Sequence, residues 1–354
     1  MSQQNTRVDD DIGQSFKLKY PEVFKTELGT VKGHKATLNL KENAIPKFCK
    51  ARSVPFALRP AVEQELNRVQ EEGVIYPVNF SQWATPLVCI PKADGRVHVC
   101  GDHKVTVNPS LHCDQYPIPI PEEVFTKLWG GKQYSKINLK CAYQQLVFED
   151  EAQEVVTINT HRGLYRYTRL PFGISSSPAI WQRFIEQVIA GLEWTCAIMD
   201  DVLVTGSSDT EHIRNLENLF ERFNKYGVRV KAEKCTFLQR DVVYMGRKLS
   251  AAGIQPTSDK IKAIKSAPVP CNATELGSWL GLVNYHASFI PRLSTMIHPL
   301  NELLGNKPWT CNDECSNAFN AVKQTISEDI ILTHYDPSKQ LELYTDASLL
   351  IEIS

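Results

Sequence analysis

The apolar positions follow two spacings along the chain, and each spacing predicts a different kind of element. Spacings of three and four residues, such as Val62, Leu66 and Val69, are typical of one buried helix face. This pattern predicts helices at 59–73, from 177, at 212–227, from 272 and at 314–326. Alternating or continuous apolar runs bounded by turn residues predict strands. Such runs occur at 84–91, 96–102, 133–139, 154–169 (a hairpin), 196–199, 202–204 and 340–348.

The order of these elements bears on the fold class. Helices and strands alternate irregularly, which indicates an α+β fold and argues against a doubly wound parallel sheet. Residues 1–50 mix polar residues with Pro21, Pro46 and several glycines, so we expect an extended, weakly packed lead-in there.

Composition excludes several classes of protein. The chain has 354 residues, of which 42% are hydrophobic and 22% charged, as is usual for soluble domains. It has no run of 18 uncharged apolar residues and no apolar segment behind a basic start, so we expect neither a membrane partner nor a signal peptide. Its ten cysteines form no CxxC pair, which favours reduced thiols in the cytoplasm or nucleus over disulfides or a zinc site.

Charge is distributed unevenly along the chain. The formal net charge is −1, yet 222–265 holds eleven Lys and Arg against three Asp and Glu, a local net charge of +8. A local positive field of this size can follow a phosphate backbone. The alternative is an ordinary solvated face of basic side chains.

Two adjacent carboxylates, Asp200 and Asp201, lie between the apolar strands at 196–199 and 202–204. Adjacent carboxylates repel each other, and burying them without a counter-charge is costly. A divalent metal such as Mg²⁺ would resolve this and would suggest phosphoryl or nucleotidyl transfer. A simple polar turn is the competing interpretation, because Asp favours turns.

A series of short motifs resembles one known family. In order and spacing, the series is similar to the reverse transcriptase of gypsy-type LTR retrotransposon Pol polyproteins, over roughly residues 20 to 354. The motifs are Ser81-Gln82-Trp83-Ala84-Thr85-Pro86-Leu87-Val88, Val99-Cys100-Gly101-Asp102, Gly163-Leu164-Tyr165-Arg166-Tyr167, Leu170-Pro171-Phe172-Gly173, Ser177-Pro178-Ala179 with Gln182, Met199-Asp200-Asp201-Val202-Leu203-Val204, Tyr244-Met245-Gly246 and Leu280-Gly281-Leu282-Val283-Asn284-Tyr285.

The resemblance implies a right-hand polymerase with fingers, palm and thumb, followed by the start of an RNase H-like domain. It implies a lead-in at 1–50, fingers and palm at 51–250, thumb and connection at 251–330, and a truncated RNase H-like start at 331–354. The implied activity is RNA-directed DNA synthesis, the addition of dNTPs to a primer on an RNA or DNA template. The implied cofactor is a pair of Mg²⁺ ions, or Mn²⁺. It further suggests a homodimer, associated with virus-like particles if the element is intact.

Roles follow from the resemblance by position. Asp200 and Asp201 match palm metal ligands, and Asn138 stands where the family has a catalytic Asp. The positions that match nucleotide-binding residues are Lys92, His98, Tyr143, Phe172, Gly173 and Gln182. Those that match primer- or template-binding residues are Tyr244, Met245, Gly246, Lys231 and Lys234. Taken singly, Tyr143 and Phe172 would be core aromatics and Lys92 a surface lysine.

The chain departs from the family at the chemistry itself. Asn138 replaces an Asp, Ile198 replaces the Tyr of Tyr-x-Asp-Asp, and His98 replaces the Arg of Arg-x-Cys-x-Asp. His103 also stands where Tyr is usual. An amide cannot bridge two cations as a carboxylate does, so we expect a rate loss on the order of 10²–10⁴. The competing hypothesis is a non-catalytic remnant, or a module co-opted for nucleic-acid binding.

The end of the sequence bears on a second activity. Asp346 matches the first metal carboxylate of an RNase H domain, and eight residues follow it. We therefore expect no ribonuclease H activity from this chain.

Overall fold

The structure is a computed structural model that describes residues 2–93, 95–304, 309, 312–326 and 330–332. The chain divides into two compact units, Met1–Val242 and Val243–Ser354. Within the described residues, no helix has both the length and the apolar character needed to cross a membrane.

The first unit contains helices and strands in mixed order. Its helices are α1 (Ser2–Lys19), α2 (Arg59–Glu71), α3 (Pro121–Lys127), α4 (Asp150–Val155), α5 (Ser177–Ile189) and α6 (Asp209–Tyr226). Its strands are β1 (Lys35–Ala36), β2 (Ile75–Val78), β3 (Thr85–Pro91), β4 (Val97–Gly101), β5 (Gln133–Asn138), β6 (Val147–Phe148), β7 (Thr157–Thr160), β8 (Gly163–Tyr167), β9 (Thr195–Ile198), β10 (Asp201–Gly206) and β11 (Thr236–Gln239).

Two sheets organise this unit. A five-stranded sheet has the order β2-β8-β7-β3-β4, in which only β3 and β7 pair in parallel. A four-stranded antiparallel sheet has the order β11-β5-β10-β9. Mixed pairing with helices between strands confirms the α+β prediction.

Helix α6 shows how local sequence sets these elements. Ser208 caps its first turn by accepting a hydrogen bond from the Glu211 backbone N–H at 3.3 Å. Gly227 ends it in the left-handed conformation with φ +72°, which glycine adopts without steric cost. Its apolar face, including Leu216 and Phe220, is fully buried against the four-stranded sheet and its neighbours.

The expectation of an extended, weakly packed lead-in is wrong for the start of the chain. Residues 2–19 form α1, and Phe16 and Tyr20 are buried. The Phe16 ring lies 4.9 Å from that of Phe220 and 5.9 Å from that of Phe237. Ile12, Phe16 and Tyr20 recur every four residues, a helical pattern that the surrounding polar residues obscure.

Other predictions differ at element boundaries. The hairpin predicted over 154–169 begins only at Thr157, because the acidic stretch before it forms α4. Asp150 and Glu151 lie in the first turn of that helix, where negative charge favours the helix dipole. The strand predicted at 340–348 lies outside the described residues.

The second unit begins within a strand and is mostly helical. Its sheet has the order β12 (Asp241–Tyr244), β13 (Arg247–Ser250) and β14 (Gly253–Pro256). Its helices are α7 (Ser258–Ser266), α8 (Ala273–Tyr285), α9 (Leu293–Asn301) and α10 (Asp313–Thr325). Asn272 caps α8 by accepting from the Glu275 N–H at 2.9 Å, which places the start of this helix where the sequence pattern predicts it. The core centres on Trp279 and Phe319, with ring centroids 4.4 Å apart.

We predict that the first unit loses stability in acid because of His103. This side chain is fully buried, and within the described residues neither ring nitrogen has a hydrogen-bond partner. Burial lowers the pKa of His103 to about 4, so it stays neutral in the folded chain and takes up a proton on unfolding below its ordinary pKa. Its contribution is complete above about pH 6.5 and decreases as pH falls toward 4.

The substitution His103→Phe should therefore remove about 3 kcal/mol of the pH-dependent loss between pH 7 and 4, measured by urea unfolding. His212, whose pKa burial also lowers to about 4, is present in both proteins and cancels in the difference. The substitution His112→Phe provides a control, because it makes the same change at a residue that is exposed and not buried. An unchanged pH slope in His103→Phe would contradict this assignment.

Candidate active site

The centre of the site is the two-residue turn between β9 and β10. Met199 and Asp200 form this turn, and Asp201 begins β10. Of the two turn residues only Met199 has positive φ, at +54°, a position that favours glycine in two-residue hairpins. A non-glycine residue held there costs on the order of 1 kcal/mol, so the surrounding contacts must stabilise the turn.

Helix α5 provides those contacts through two adjacent buried side chains. The Trp181 indole Nε1–H donates to the Met199 carbonyl at 2.6 Å. The Gln182 Oε1 accepts from the Met199 N–H at 2.9 Å, and its Nε2 donates to the Ala197 carbonyl at 2.8 Å. Gln182, expected from the family to contact nucleotide, is fully buried and holds the backbone of the turn.

The strand register brings three polar side chains together beside the turn. β5 pairs with β10 so that Asn138 lies opposite Asp201. The Asn138 Nδ2 donates to Asp201 Oδ1 at 2.8 Å. Lys136, two residues earlier on the same face of β5, places Nζ 2.8 Å from Asp201 Oδ2. The Leu139 N–H also donates to the Asp200 carbonyl at 2.6 Å, which fixes the turn to the end of β5.

These contacts decide what the site can hold. Both carboxylate oxygens of Asp201 are engaged, one by an amide donor and one by an ammonium group. Asp200 is exposed at the tip of the turn. Within the part of the chain that the structure describes, no three His, Cys, Asp or Glu side chains group as metal ligands. This donor set does not fit a pair of divalent cations, which require several carboxylate oxygens between them.

An aromatic wall lies beside the turn. The Tyr143 ring is 5.1 Å from that of Phe172 and 6.5 Å from that of Trp181. The Tyr143 hydroxyl reaches the Met199 sulfur at 3.5 Å. Burial, and then the negative charge of Asp200, raises the pKa of Tyr143, so its hydroxyl stays protonated. Phe172 remains 40% exposed, which leaves an apolar surface open to a flat ligand.

Gly173 sits at a point of close backbone approach. Its φ is +91°, and a Cβ there would lie 3.2 Å from the Gly101 carbonyl oxygen. The Asn108 side chain holds the segment on both sides, donating to the Gly173 carbonyl at 2.9 Å and accepting from the Ser175 N–H at 3.0 Å. Glycine is therefore required here by conformation and by space.

The β3–β4 hairpin carries two of the predicted nucleotide-binding positions, His98 and Lys92. His98 lies on β4 with its ring 5.9 Å from that of Phe172. Burial, and secondarily the charge of Lys92, lowers the pKa of His98, so the imidazole is neutral at pH 7. Lys92 is exposed at the end of the hairpin, where its N–H donates to the Arg96 carbonyl at 2.8 Å.

The predicted primer- and template-binding residues fall in both units. In the first unit, the Lys231 N–H donates to the Asn138 carbonyl at 2.7 Å, and Lys234 is exposed nearby in sequence. In the second unit, Tyr244 is buried, while Met245 and Gly246 form the turn before β13, both with positive φ. The Tyr285 hydroxyl of α8 donates to the Met245 carbonyl and anchors that turn.

Three side chains of this site were missed by sequence reasoning: Lys136, Trp181 and Asn108. Lys136 has a signal, because the period of two along 133–139 places it on the same face as Asn138. Trp181 and Asn108 act on backbone groups of distant turns, and such partners are set by tertiary structure rather than by local pattern.

Comparisons with known proteins bear on the family and the fold of this chain. The profile described as "Reverse transcriptase (RNA-dependent DNA polymerase)" matches residues 90–249. The chain therefore contains a reverse transcriptase domain. The profile "RNase H-like domain found in reverse transcriptase" matches residues 309–351. Asp346, predicted as an RNase H carboxylate, lies within that match but outside the described residues.

Similar proteins include Pol polyproteins of retrotransposons. The "Retrovirus-related Pol polyprotein from transposon 412" of Drosophila melanogaster is 26% identical over 94% of this chain. The "Transposon Tf2-3 polyprotein" of Schizosaccharomyces pombe is 30% identical over 81% of it, and the Caenorhabditis elegans "Uncharacterized protein K02A2.6" 42% over 76%. This reverse transcriptase chain spans only 21% to 29% of the length of these relatives.

Solved reverse transcriptases share the fold. The foamy viral protease-reverse transcriptase in complex with dsDNA has a TM-score of 0.83 and 21% identity, over 92% of this chain and 69% of that one. Another form of that enzyme, termed dRH and also in complex with dsDNA, has a TM-score of 0.80 and 21% identity, over 88% of this chain and 55% of that one. The right-hand polymerase fold predicted from the motifs is therefore confirmed.

We predict that Gln182→Leu destabilises the first unit by roughly 2–4 kcal/mol, because it leaves the Met199 N–H and the Ala197 carbonyl without their partner. Urea unfolding followed by circular dichroism measures the change. Gln187→Leu is the matched control, since Gln187 is exposed on the same helix and should change stability by about 0.5 kcal/mol or less. Equal stabilities of the two variants would contradict the role of Gln182.

Proposed function

We propose that this chain is a reverse transcriptase region that binds a template–primer duplex but adds nucleotides slowly or not at all. Its first unit would comprise fingers and palm, and the thumb would begin in its second unit. The observation that supports the proposal is a set of two contacts beside the turn. Asn138 donates a hydrogen bond to the Asp201 carboxylate, and Lys136 forms an ion pair with it.

Nucleotide binding is supported by groups that need no metal. The exposed face of Phe172, the neighbouring Tyr143 ring and the tight backbone at Gly173 offer a flat apolar surface bounded by main chain. The Tyr143 ring would occupy the space near the sugar of a bound dNTP. Lys92, exposed at the end of the β3–β4 hairpin, would supply a positive charge for the triphosphate.

The catalytic deficit follows from charge. Reverse transcriptases generally use divalent metals, and an active family member would hold two Mg²⁺ or Mn²⁺ ions at these positions. In this chain, the Asn138 position offers an amide where the family has a carboxylate. The Asp201 carboxylate is already paired with the ammonium group of Lys136. The neutral imidazole of His98 further weakens attraction for a triphosphate, compared with a guanidinium that is always charged.

A second function, nucleic-acid binding without chemistry, is favoured by the same observation. The basic stretch at 222–265 supplies phosphate contacts that do not depend on Asn138 or Asp201. Primer extension and duplex binding, measured on the same protein, separate the two functions.

We predict that the native chain extends a primer on an RNA template roughly 10²–10⁴ times more slowly than the triple variant Asn138→Asp, His98→Arg, Ile198→Tyr. The assay uses Mg²⁺ and Mn²⁺ in parallel and measures single-turnover rates. The double variant His98→Arg, Ile198→Tyr is the control, because it keeps Asn138 and should remain slow. Rapid extension by the native chain would disprove the catalytic deficit. Inactivity of all three proteins would show that restoring these three positions is not sufficient, because Lys136 still pairs with Asp201 in each of them, and would leave duplex binding as the supported function.

We also predict that duplex affinity depends on the basic loop after α6. Replacing Lys231 and Lys234 with Met should weaken binding and reduce the slope of log K against log salt by about 2, if each contacts one phosphate. Glu233, whose carboxylate lies 3.5 Å from Lys231 Nζ, offers a control of opposite sign, because Glu233→Gln should strengthen binding. Fluorescence anisotropy over a salt series measures both effects, and an unchanged slope in the double variant would exclude this loop from the interface.

A further inference from the structure

The ion pair between Lys136 and Asp201 is formed by a lysine to which the motifs assign no role. Its atoms are 2.8 Å apart, and the two side chains are 26% and 28% exposed. It is therefore better shielded from solvent than a typical surface pair, whose charges are largely screened by water and salt.

The position of Lys136 is fixed by the sheet. β5 is an inner strand with β10 on one side and β11 on the other, and Lys136 pairs with Leu203 and with Thr236. The backbone of Lys136 cannot move away from Asp201 without breaking one of these ladders. The fold therefore fixes the Lys136 backbone at a position from which its ammonium group reaches the Asp201 carboxylate.

A divalent cation at Asp201 would have to compete with this arrangement. One carboxylate oxygen accepts from Asn138 Nδ2 and the other faces Lys136 Nζ. A cation bound to Asp201 would lie within a few ångströms of the Lys136 ammonium group. Like charges this close repel strongly in a partly desolvated site.

We propose that Lys136 is a built-in counter-ion that neutralises Asp201 and keeps divalent metal from it. The ammonium group takes the electrostatic place that a metal ion would occupy beside this carboxylate, so the turn is stable without metal. The inference deepens the proposed function, but its test contains neither nucleic acid nor dNTP. Either can therefore fail without the other.

The test is the binding of Mn²⁺ alone to the full chain, followed by electron paramagnetic resonance of free Mn²⁺. We expect Lys136→Met to raise the Mn²⁺ affinity roughly tenfold, because it removes a unit positive charge next to the ligand oxygen. Lys136→Arg keeps the charge and should keep the low affinity of the native chain.

A matched control separates this effect from a general change in net charge. Lys132 is exposed just before the same strand, four residues from Lys136 and so on the order of 13 Å away, beyond the screening length at physiological salt. Lys132→Met should therefore leave Mn²⁺ affinity unchanged. A gain in Lys136→Met alone supports the proposal. No gain, or equal gains in Lys136→Met and Lys132→Met, would overturn it.

A second measurement uses the native chain and does not require a variant to fold. Amine acylation followed by mass spectrometry reports how available each lysine is. Lys136 should react more slowly than Lys132, and millimolar Mg²⁺ should leave the Lys136 rate unchanged. Faster acylation of Lys136 on addition of Mg²⁺ would mean that the metal displaces the ammonium group, and the proposal would be wrong.

Discussion

The antiparallel register of β5 against β10 is the constraint on which the site depends. It places Asn138 opposite Asp201 and, through the two-residue period of a strand, puts Lys136 on the same face. A shift of one residue would replace these polar groups with the buried Ile137 and its neighbours. The left-handed Met199 turn depends on the same pairing, because the Leu139 N–H holds the Asp200 carbonyl.

Support for this register comes from outside the sheet. Trp181 and Gln182 bind the carbonyl and the N–H of Met199, so one helix satisfies both polar groups of a strained residue. Gln182 also bonds Glu186 at 2.8 Å, and Glu186 accepts from the Tyr116 hydroxyl. These hydrogen bonds hold the turn in shape, and none of them involves the side chain of Asp200, Asp201 or Lys136. Charge at the turn can therefore change while its shape is kept.

Local sequence pattern is sufficient to predict the two adjacent carboxylates of the site and the family of the fold. Asp200 and Asp201 stand out because they interrupt apolar strands, and the order of the motifs indicated the fold that the comparisons confirm. Partners across the sheet could not be predicted in the same way, since Lys136 looks like any other half-exposed strand lysine. The motif match predicts that Gln182 contacts nucleotide, whereas its hydrogen bonds to the backbone of the turn depend on the packing of α5. Helix α1 was missed because four-residue spacing is weak evidence within a polar segment.

The charge of this chain differs between the whole molecule and its local segments. The whole chain is close to neutral, but interactions between exposed charges fade beyond about 8 Å at physiological salt, so a bound duplex responds to local charge. The basic stretch at 222–265 can attract phosphate even though acidic residues elsewhere cancel it in the total. Over a few ångströms the balance of charge is different, because the ammonium group of Lys136 pairs with the carboxylate of Asp201, which we propose keeps a divalent cation from it. In the function proposed here, affinity for nucleic acid and affinity for metal would be set by separate groups of this chain, so loss of the second would not require loss of the first.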